Sequence, residues 1–314
     1  MAGVAAKLEE TTREGYPGIA LSDGDVAATF VPQLGMIGAS LTHQGEELLG
    51  QRNGLAAYEA KGSTMGIPLL YPWANRLSGF QYEVAGKHVT IDPDSPRVKL
   101  DEHGIPIHGL LTASPHWRAE EREGRLGATL DFGAHPELLE AFPFPHRVEI
   151  EVALADGRLT IRTTVVADQG SPVPVSFGFH PYLALPSVPR PEWHVELPVT
   201  EHLILDDRSI PTGETEPAAA EPGPLGERTF DDAFDGLADP AEFAVAGAGR
   251  RVGVRFLDGY RFAQVYAPPG ASFISFEPMT APINPFEDSR TLLAQPGSTY
   301  RARYEIAVAD EAIT

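Results

Sequence analysis

Two titratable side chains stand at the ends of apolar, alternating segments, each immediately before a proline. His180 precedes Pro181 in VPVSFGFHPYL, and Glu277 precedes Pro278 in SFISFEPMTAPINPF. A carboxylate beside an imidazole is a common general acid–base pairing, and burial among apolar neighbours raises the pKa of a glutamate. The sequence therefore predicts an acid–base site that uses these two side chains.

Strand periodicity predicts where the two side chains point. Phe177 and Phe179 share one face of the first segment, so His180 is expected on the opposite, more open face. In the second segment, Phe276 and Glu277 face opposite ways in the same manner. Since proline lacks the N–H that a strand donates, both strands are expected to end at the proline. The alternatives are a structural histidine bonded to a carbonyl and a buried glutamate held by an arginine.

Two further segments combine aromatic and polar side chains. PLLYPWANRLSGFQY places Asn75 and Arg76 close to Tyr71 and Trp73, a mixture that suits hydroxyl groups and ring faces. IPIHGLLTASPHW places His108 between apolar pairs. A histidine in that setting is either a satisfied core residue or part of a site, and both interpretations stay open.

The segment TFDDAFDGL carries three carboxylates separated by aromatic residues. Asp231 and Asp235 either accept hydrogen bonds from a polyol or belong to a solvated turn, and their spacing is not that of a calcium loop. His103, His108 and His116 are near one another in sequence but lack an H-x-H pair or a suitably spaced carboxylate. We therefore expect no metal site.

Period-two alternation indicates that strands must position these residues. Residues 148–154 and 159–165 alternate on either side of Asp156-Gly157, the strongest short signal for a β-hairpin. A second hairpin is predicted in FQYEVAGKHVTI, turning at Ala85-Gly86, and a third from RVGVRF followed by FAQVYAP. Residues 300–308 alternate as a half-buried strand, so antiparallel pairing is expected throughout.

Helical signals are few, and only PELLEAF (136–142) predicts one or two helical turns. The absence of alternating helix and strand disfavours a doubly wound fold. Residues 211–228 are polar and proline-rich and predict a long surface loop. We expect one all-β domain over residues 1–314, a large antiparallel β-sandwich whose broad face holds the site.

Composition excludes several classes of function. The 314 residues carry a formal net charge of −20 and no cysteine. The charge argues against nucleic-acid and membrane partners, and the missing thiols exclude disulfides and cysteine nucleophiles. The sequence lacks G-x-x-x-x-G-K-[ST], G-x-S-x-G and H-E-x-x-H, which argues against ATPases, serine hydrolases and zincins. With no signal-peptide pattern and no apolar span, a cytoplasmic protein is expected.

Taken together, these segments resemble the aldose 1-epimerase (galactose mutarotase) family. The resemblance runs from about residue 30 to 308 and is carried by ANRLSGFQY, IHGL with the following HW, FGFHPYL, IPTGE, DDAF and FEPMTAPINPF. It implies an all-β supersandwich and an isomerase that interconverts the α and β anomers of an aldose without a cofactor. The whole-chain charge favours a neutral sugar.

The resemblance also implies roles for individual residues. Glu277 matches the catalytic base and His180 the catalytic acid, while Arg76 and His108 match positions that hold the sugar, His108 in some members close to the ring oxygen. An aspartate in DDAF matches a sugar-binding position, but the histidine that follows it in the family is replaced here. The sugar-binding set that we expect is Asn75, Arg76, Tyr182, Asp231 and Asp232.

Two other functions remain open. A hexose-6-phosphate 1-epimerase on the same fold needs a cationic clamp, for which Arg250, Arg251, Arg255 and Arg261 are available unless they are only solvated strand residues. A non-catalytic carbohydrate-binding or regulatory sandwich does not need an acid and a base. The expected partner is a small aldose, and the chain is expected to be a monomer or a homodimer.

Overall fold

Strands dominate the chain, as the alternation predicted. The computed structural model describes residues 6–218 and 222–310. Up to residue 131 the strands are β1 (Lys7–Arg13), β2 (Tyr16–Asp23), β3 (Val26–Val31), β4 (Ile37–His43), β5 (Glu46–Glu47), β6 (Leu69–Leu70), β7 (Gln81–Val84), β8 (Lys87–Thr90), β9 (Arg118–Arg122) and β10 (Arg125–Asp131).

The remaining strands, again in chain order, are β11 (His146–Ala155), β12 (Arg158–Ala167), β13 (Val173–Val175), β14 (Gly178–Phe179), β15 (Tyr182–Leu183), β16 (His194–Glu196), β17 (Glu201–Leu205), β18 (Pro211–Pro217), β19 (Gly223–Pro224), β20 (Phe230–Asp235), β21 (Ala241–Gly247), β22 (Arg250–Asp258), β23 (Phe262–Ala267), β24 (Ile274–Met279), β25 (Leu292–Ala294) and β26 (Thr299–Asp310). The described residues also form helices α1 (Gly54–Lys61) and α2 (Pro136–Leu139). No helix among them is long and apolar enough to cross a membrane.

Two large antiparallel sheets pack face to face, which confirms the predicted all-β sandwich. The outer sheet has the order β19-β16-β21-β22-β26-β12-β11-β10-β9, and the cleft sheet has the order β18-β17-β20-β23-β24-β14-β6, with β15 also paired to β24. Aromatic side chains fill the space between them: Phe276 lies 5.6 Å from Phe243, and Phe179 lies 5.1 Å from Tyr304, between ring centroids. A five-stranded sheet of β1–β5 completes the N-terminal part.

Two of the three predicted hairpins are confirmed. Strands β11 and β12 pair through the Asp156-Gly157 turn, and β7 pairs with β8 through Ala85-Gly86. Both central residues of each turn have positive φ, the conformation that matches the right-handed twist of paired strands. The third hairpin is wrong, because β22 pairs with β21 and β26 in the outer sheet, while β23 pairs with β20 and β24 in the cleft sheet. Both edges of β22 are already occupied.

The predicted long loop at 211–228 is also wrong for much of its length. Strand β18 pairs with β17, and β19 pairs with β16; residues 219–221 lie outside the described residues. Each of these strands is the last in its sheet, and an edge strand tolerates proline and exposed polar residues because one side needs no ladder bonds. The short α2 confirms the helical turn expected in PELLEAF, whereas α1 had no prediction.

Candidate active site

A polar cleft of about 330 Å³ opens on the cleft sheet and collects most of the predicted site residues. A volume at the lower end of the usual range for ligand sites suits a small molecule. The predicted residues that line it are Asn75, Arg76, His108, His180, Tyr182, Asp231 and Glu277. A larger cleft of about 610 Å³ near Trp117 contains none of them.

Strand alternation aims the acid–base residues into this cleft. In β24, Phe276 packs into the sandwich while Glu277 lines the cleft, as predicted. His180 follows the end of β14 and also points to the cleft side, but residues 173–180 are all buried, so the expected open face is wrong. Other segments cover this strand and explain the burial. The backbone of Trp73, for example, forms a parallel β-bridge with that of Ser176.

The proline after each acid–base residue acts differently in the two strands. β14 ends at Phe179, before His180, as predicted. β24 instead continues through Pro278, which lies opposite Ala263 of β23. The prediction that Pro278 ends its strand is therefore wrong, because the strand extends one residue beyond it, to Met279.

Ser275 determines which nitrogen of His180 carries a proton. The Ser275 hydroxyl donates to the Pro181 carbonyl at 2.6 Å and lies 2.7 Å from His180 Nδ1. Since a hydroxyl has one proton to donate, Nδ1–H must donate to Ser275 Oγ. The neutral imidazole then presents the lone pair of Nε2 toward Glu277 Oε1, 3.2 Å away. A proton between these two atoms is therefore placed for chemistry.

Burial disfavours the charged form of both partners. It raises the pKa of Glu277 well above its usual value, and the charge of Asp231 adds to the rise. It lowers the pKa of His180 to about 3, with further contributions from the charges of Arg52 and Lys99. Burial therefore favours the uncharged form of both groups, a protonated Glu277 carboxyl beside a neutral imidazole.

Three buried polar atoms of the cleft have no hydrogen-bond partner among the described residues. They are Glu277 Oε2, His108 Nδ1 and Gln264 Oε1. Buried polar atoms are normally paired, so three open positions in one cleft point to a ligand rich in hydrogen-bonding groups. His108 is therefore not a satisfied core histidine; burial lowers its pKa well below the usual value and keeps it neutral.

Arg76 is held rigidly at one end of the cleft. Its Nε donates to Asp101 at 2.6 Å, its Nη2 to Glu102 at 3.0 Å, and its Nη1 to Asn75 Oδ1 at 3.3 Å. With this network, the guanidinium and the Asn75 amide keep a fixed position for contacts with a ligand. Asp231 lies near enough for its charge to raise the pKa of Arg76 further.

The two adjacent aspartates of β20 lie on opposite faces of the strand. Asp231 lines the cleft and accepts a 2.7 Å hydrogen bond from Gln264 Nε2. Asp232 points the other way, where His202 Nε2 lies 3.2 Å from it. The structure thus assigns the cleft position to Asp231, and the expectation that Asp232 contacts the ligand is corrected by strand alternation. Asp235 also lies outside the cleft and pairs with Arg290.

Three residues that line the cleft have a strained backbone conformation. Arg52, Asn75 and His108 have φ values of 43°, 57° and 65°, in the left-handed region that non-glycine residues rarely adopt. Strain of this kind concentrates at functional sites, where the surrounding structure enforces it. Gly109 has φ 71°, and a Cβ there would lie 2.1 Å from the Tyr71 carbonyl oxygen, so the position after His108 requires glycine.

Several cleft residues had no prediction from the sequence: Arg52, Thr64, Lys99, Asp101, Glu102, Gln264 and Tyr266. Gln264 alone left a signal, as a polar residue within the apolar run FAQVYA, and it lies directly opposite Glu277 in the sheet. Arg52 and Lys99 stand in irregular segments, where no periodicity indicates a direction.

The sequence singled out two groups of residues that the structure does not bring together. Of His103, His108 and His116, only His108 lines the cleft; the His116 ring stacks on that of His135 at 3.7 Å between centroids, and His103 lies outside the cleft. The expected absence of a metal stays a prediction.

The arginines suggested as a phosphate clamp are engaged elsewhere. Arg250, Arg251 and Arg255 form ion pairs on the outer sheet and its neighbourhood. Arg261 does not line the cleft either. This set is therefore corrected: Arg251 and Arg255 pair with carboxylates of the outer sheet, and Arg250 pairs with Glu46 of the N-terminal sheet.

Comparison with known proteins gives a matching family model and solved structures with the same fold. The family model of aldose 1-epimerases matches residues 19–307. A galactose mutarotase-like protein from Clostridium acetobutylicum has a TM-score of 0.83 at 15% identity, covering 98% of this chain and 99% of that chain. Galactose 1-epimerase from Lactobacillus acidophilus NCFM has a TM-score of 0.75 at 15% identity, covering 98% and 99%. The protein Slr1438 from Synechocystis sp. PCC 6803 has a TM-score of 0.75 at 20% identity, covering 99% and 98%.

A search of the curated proteins found no match. The β-sandwich fold of this chain matches the fold of these solved structures. Because the family model spans most of the chain, the protein belongs to the aldose 1-epimerase family.

Proposed function

We propose that the protein interconverts the α and β anomers of an aldose by general acid–base catalysis. The observation that carries this proposal is the buried Glu277–His180 pair, 3.2 Å apart, at the floor of a sugar-sized cleft. Ring opening removes a proton from the C1 hydroxyl and adds one to the ring oxygen, so it needs a base at one and an acid at the other of the two neighbouring oxygens bonded to C1.

The proton count of the pair matches this reaction. Transfer of the shared proton from Glu277 Oε1 to His180 Nε2 gives a carboxylate and an imidazolium without a change in net charge. The carboxylate takes the proton from the C1 hydroxyl, the bond from C1 to the ring oxygen breaks as the aldehyde forms, and Nε2–H protonates the ring oxygen. Rotation about C1–C2 and the reverse steps then close the ring on its other face.

Burial favours the forward step of this sequence. The ionised pair is disfavoured in the dry cleft, so its carboxylate is a stronger base and its imidazolium a stronger acid than in water. Ring opening returns Glu277 and His180 to the neutral forms that burial prefers. Each positioned acid or base is worth about 10²–10⁴-fold in rate.

The remaining cleft groups support binding of the sugar. Arg76, His108 and Asp231 are fixed around the pair, and open hydrogen-bonding positions such as His108 Nδ1 and Gln264 Oε1 suit ring hydroxyls. Tyr182 lies parallel to the His180 ring at 4.3 Å between centroids and donates or accepts at Thr64. It holds the imidazole in place, which makes it a positioning residue.

A binding module without catalysis is the second class of function that the cleft must be tested against. Such a module needs only groups that hydrogen-bond to sugar hydroxyls and gains nothing from an acid placed directly beside a base. The contact of 3.2 Å between His180 Nε2 and Glu277 Oε1 therefore favours an enzyme.

Anomer exchange measured by polarimetry or proton NMR on freshly dissolved α-anomers tests the proposal. The wild type is expected to exceed the spontaneous rate, and Glu277→Gln and His180→Asn to lose about 10²-fold or more of that acceleration. Glu149→Gln and His194→Asn are the matched controls, since both positions lie on the outer sheet. Wild-type rates in both site variants would contradict the proposal.

A further inference from the structure

Arg52 and Lys99, two cations of the cleft, have no carboxylate partner among the described residues, although the chain has 44 acidic residues. In the part of the chain that the structure describes, Arg52 Nη1 donates to the Thr64 carbonyl at 3.0 Å and to the Tyr182 hydroxyl at 3.2 Å. Lys99 Nζ donates to the Gly62 carbonyl at 2.8 Å. All of these acceptors are uncharged. Arg76, in the same cleft, is paired with two carboxylates.

Both cations keep donors for a ligand. Lys99 has three N–H groups and Arg52 has five, so the contacts above leave part of each set unused. The two groups are close enough that the charge of Arg52, after burial, lowers the pKa of Lys99 to about 8. Lys99 is therefore charged at neutral pH, and an anion between the two side chains would relieve their repulsion.

The two cations lie on the His180 side of the acid–base pair. The Tyr182 hydroxyl connects Arg52 Nη1, at 3.2 Å, to His180 Nε2, at 3.3 Å. The charges of Arg52 and Lys99 also both lower the pKa of His180. His180 is the group that protonates the ring oxygen in the proposed reaction.

The chemistry of an aldose ring places carbon 6 on that same side. In a pyranose, the ring oxygen joins C1 to C5, and C5 carries C6. A substituent on C6 is therefore close to the oxygen that His180 protonates and across the ring from the hydroxyls of C2 and C3. Asp231 and Glu102, at other positions along the cleft wall, suit those hydroxyls.

We propose that Arg52 and Lys99 form a subsite for an anionic group on carbon 6 of the aldose, either a carboxylate or a phosphate ester. This inference rests on the proposed epimerase function and specifies its substrate class. It replaces the neutral sugar that the whole-chain charge favoured, because a local pair of cations decides the potential within the cleft. It also assigns the cationic role to residues other than the arginines of β22.

Anomer exchange of matched sugars tests the subsite. The probes are glucose, glucose 6-phosphate and glucuronate, together with galactose, galactose 6-phosphate and galacturonate, each measured by exchange NMR with the spontaneous rate subtracted. In at least one stereochemical series, kcat/KM for an anionic sugar is expected to exceed that of the neutral parent by about tenfold or more, since charge-assisted contacts to Arg and Lys are strong. The ester and the carboxylate arms show which anion is preferred.

Charge-removing variants connect the preference to the two residues. Lys99→Gln and Arg52→Gln are expected to bring the anionic-to-neutral ratio of kcat/KM toward one. Lys7→Gln and Arg147→Gln, the same changes at exposed positions outside the cleft, are expected to leave the ratio at its wild-type value. A ratio of one or less in the wild type, or an unchanged ratio in both cleft variants, would overturn the subsite.

Failure of the epimerase proposal gives a different result. Acceleration of neutral sugars alone refutes the subsite and leaves the reaction intact. If no sugar is accelerated, the epimerase proposal fails, and titration of the protein with glucose 6-phosphate against glucose still tests the subsite. Tighter binding of the phosphate, lost in Lys99→Gln, supports it, and equal binding refutes it.

Discussion

The two large sheets differ in how their charged residues are paired and how far these residues are exposed. In the outer sheet, Arg251 is paired with Glu196 and Glu242, and Arg255 with Glu242 and Glu305, at a partly exposed surface. In the cleft sheet, Glu277 is 1% exposed and its Oε2 has no partner among the described residues. Both sheets follow the same alternation, so the difference lies in what each polar face meets.

This difference separates stability from function. Partly exposed ion pairs cost little and contribute little, so the outer sheet needs no ligand to be satisfied. A buried carboxyl with an open oxygen lowers stability, and such groups persist where function requires them. The cleft sheet therefore keeps a buried carboxyl oxygen without a partner among the described residues, whereas the outer-sheet glutamates named above are paired with arginines.

The largest difference in activity is expected between variants of the neighbouring Asp231 and Asp232. Asp231→Asn removes a carboxylate from the cleft side and is expected to lower kcat/KM for anomer exchange by about tenfold or more, because a hydrogen bond to a charged group is worth about 1.5–3 kcal/mol. Asp232→Asn changes the adjacent residue on the other side of β20 and is the matched control. Steady-state kinetics by exchange NMR measures both variants.

Equal losses in the two aspartate variants would show that strand alternation does not separate their roles. A loss confined to Asp232→Asn would reverse the assignment of the cleft position. Either result would remove one of the distinctions between the cleft side of the sheet and its other face.

A smaller effect is expected on stability, where Glu277→Gln is expected to produce a gain rather than a loss. Because burial raises the pKa of Glu277 in the folded protein, its protonated form contributes stability at low pH that is lost as pH rises through that raised value. Glu277→Gln does not titrate, so near pH 8 it is expected to raise the free energy of unfolding by about 1–2 kcal/mol. Near pH 4 the two proteins are expected to be equally stable. Denaturant unfolding at both pH values measures the change.

Glu242→Gln is the contrasting variant in the outer sheet. It removes the carboxylate shared by Arg251 and Arg255, and it is expected to lower stability by at most about 1 kcal/mol. A loss of stability near pH 8 in Glu277→Gln as well would mean that the two sheets do not differ in how they accommodate charge.

The sequence predicted the strands and the faces of their side chains because period two is a local property. Alternation alone assigned Phe276 to the sandwich and Glu277 to the opposite face, and Asp156-Gly157 identified the longest hairpin. It also placed His180 on the cleft side of its strand. Local pattern could not show that covering segments bury His180, because those segments are distant in sequence.

The other features that the sequence did not predict correctly have the same physical origin, namely contacts between distant parts of the chain. Arg52 and Lys99 reach the cleft from irregular segments, so their position depends on the packing of the whole chain. The third hairpin failed because two consecutive strands joined different sheets, which periodicity does not distinguish. To distinguish Asp231 from Asp232, it is enough to know which residues of β20 face the cleft, and the structure shows this.

Infrared spectroscopy tests the central claim most directly, namely that the buried Glu277–His180 pair holds its single proton on the carboxyl. The difference spectrum between wild type and Glu277→Gln at pH 7 isolates the signal of this side chain. We predict that the wild type shows a protonated carboxylic acid band that the variant lacks. Loss of an ionised carboxylate band instead would contradict the account, because Glu277 would then already be charged in the free protein.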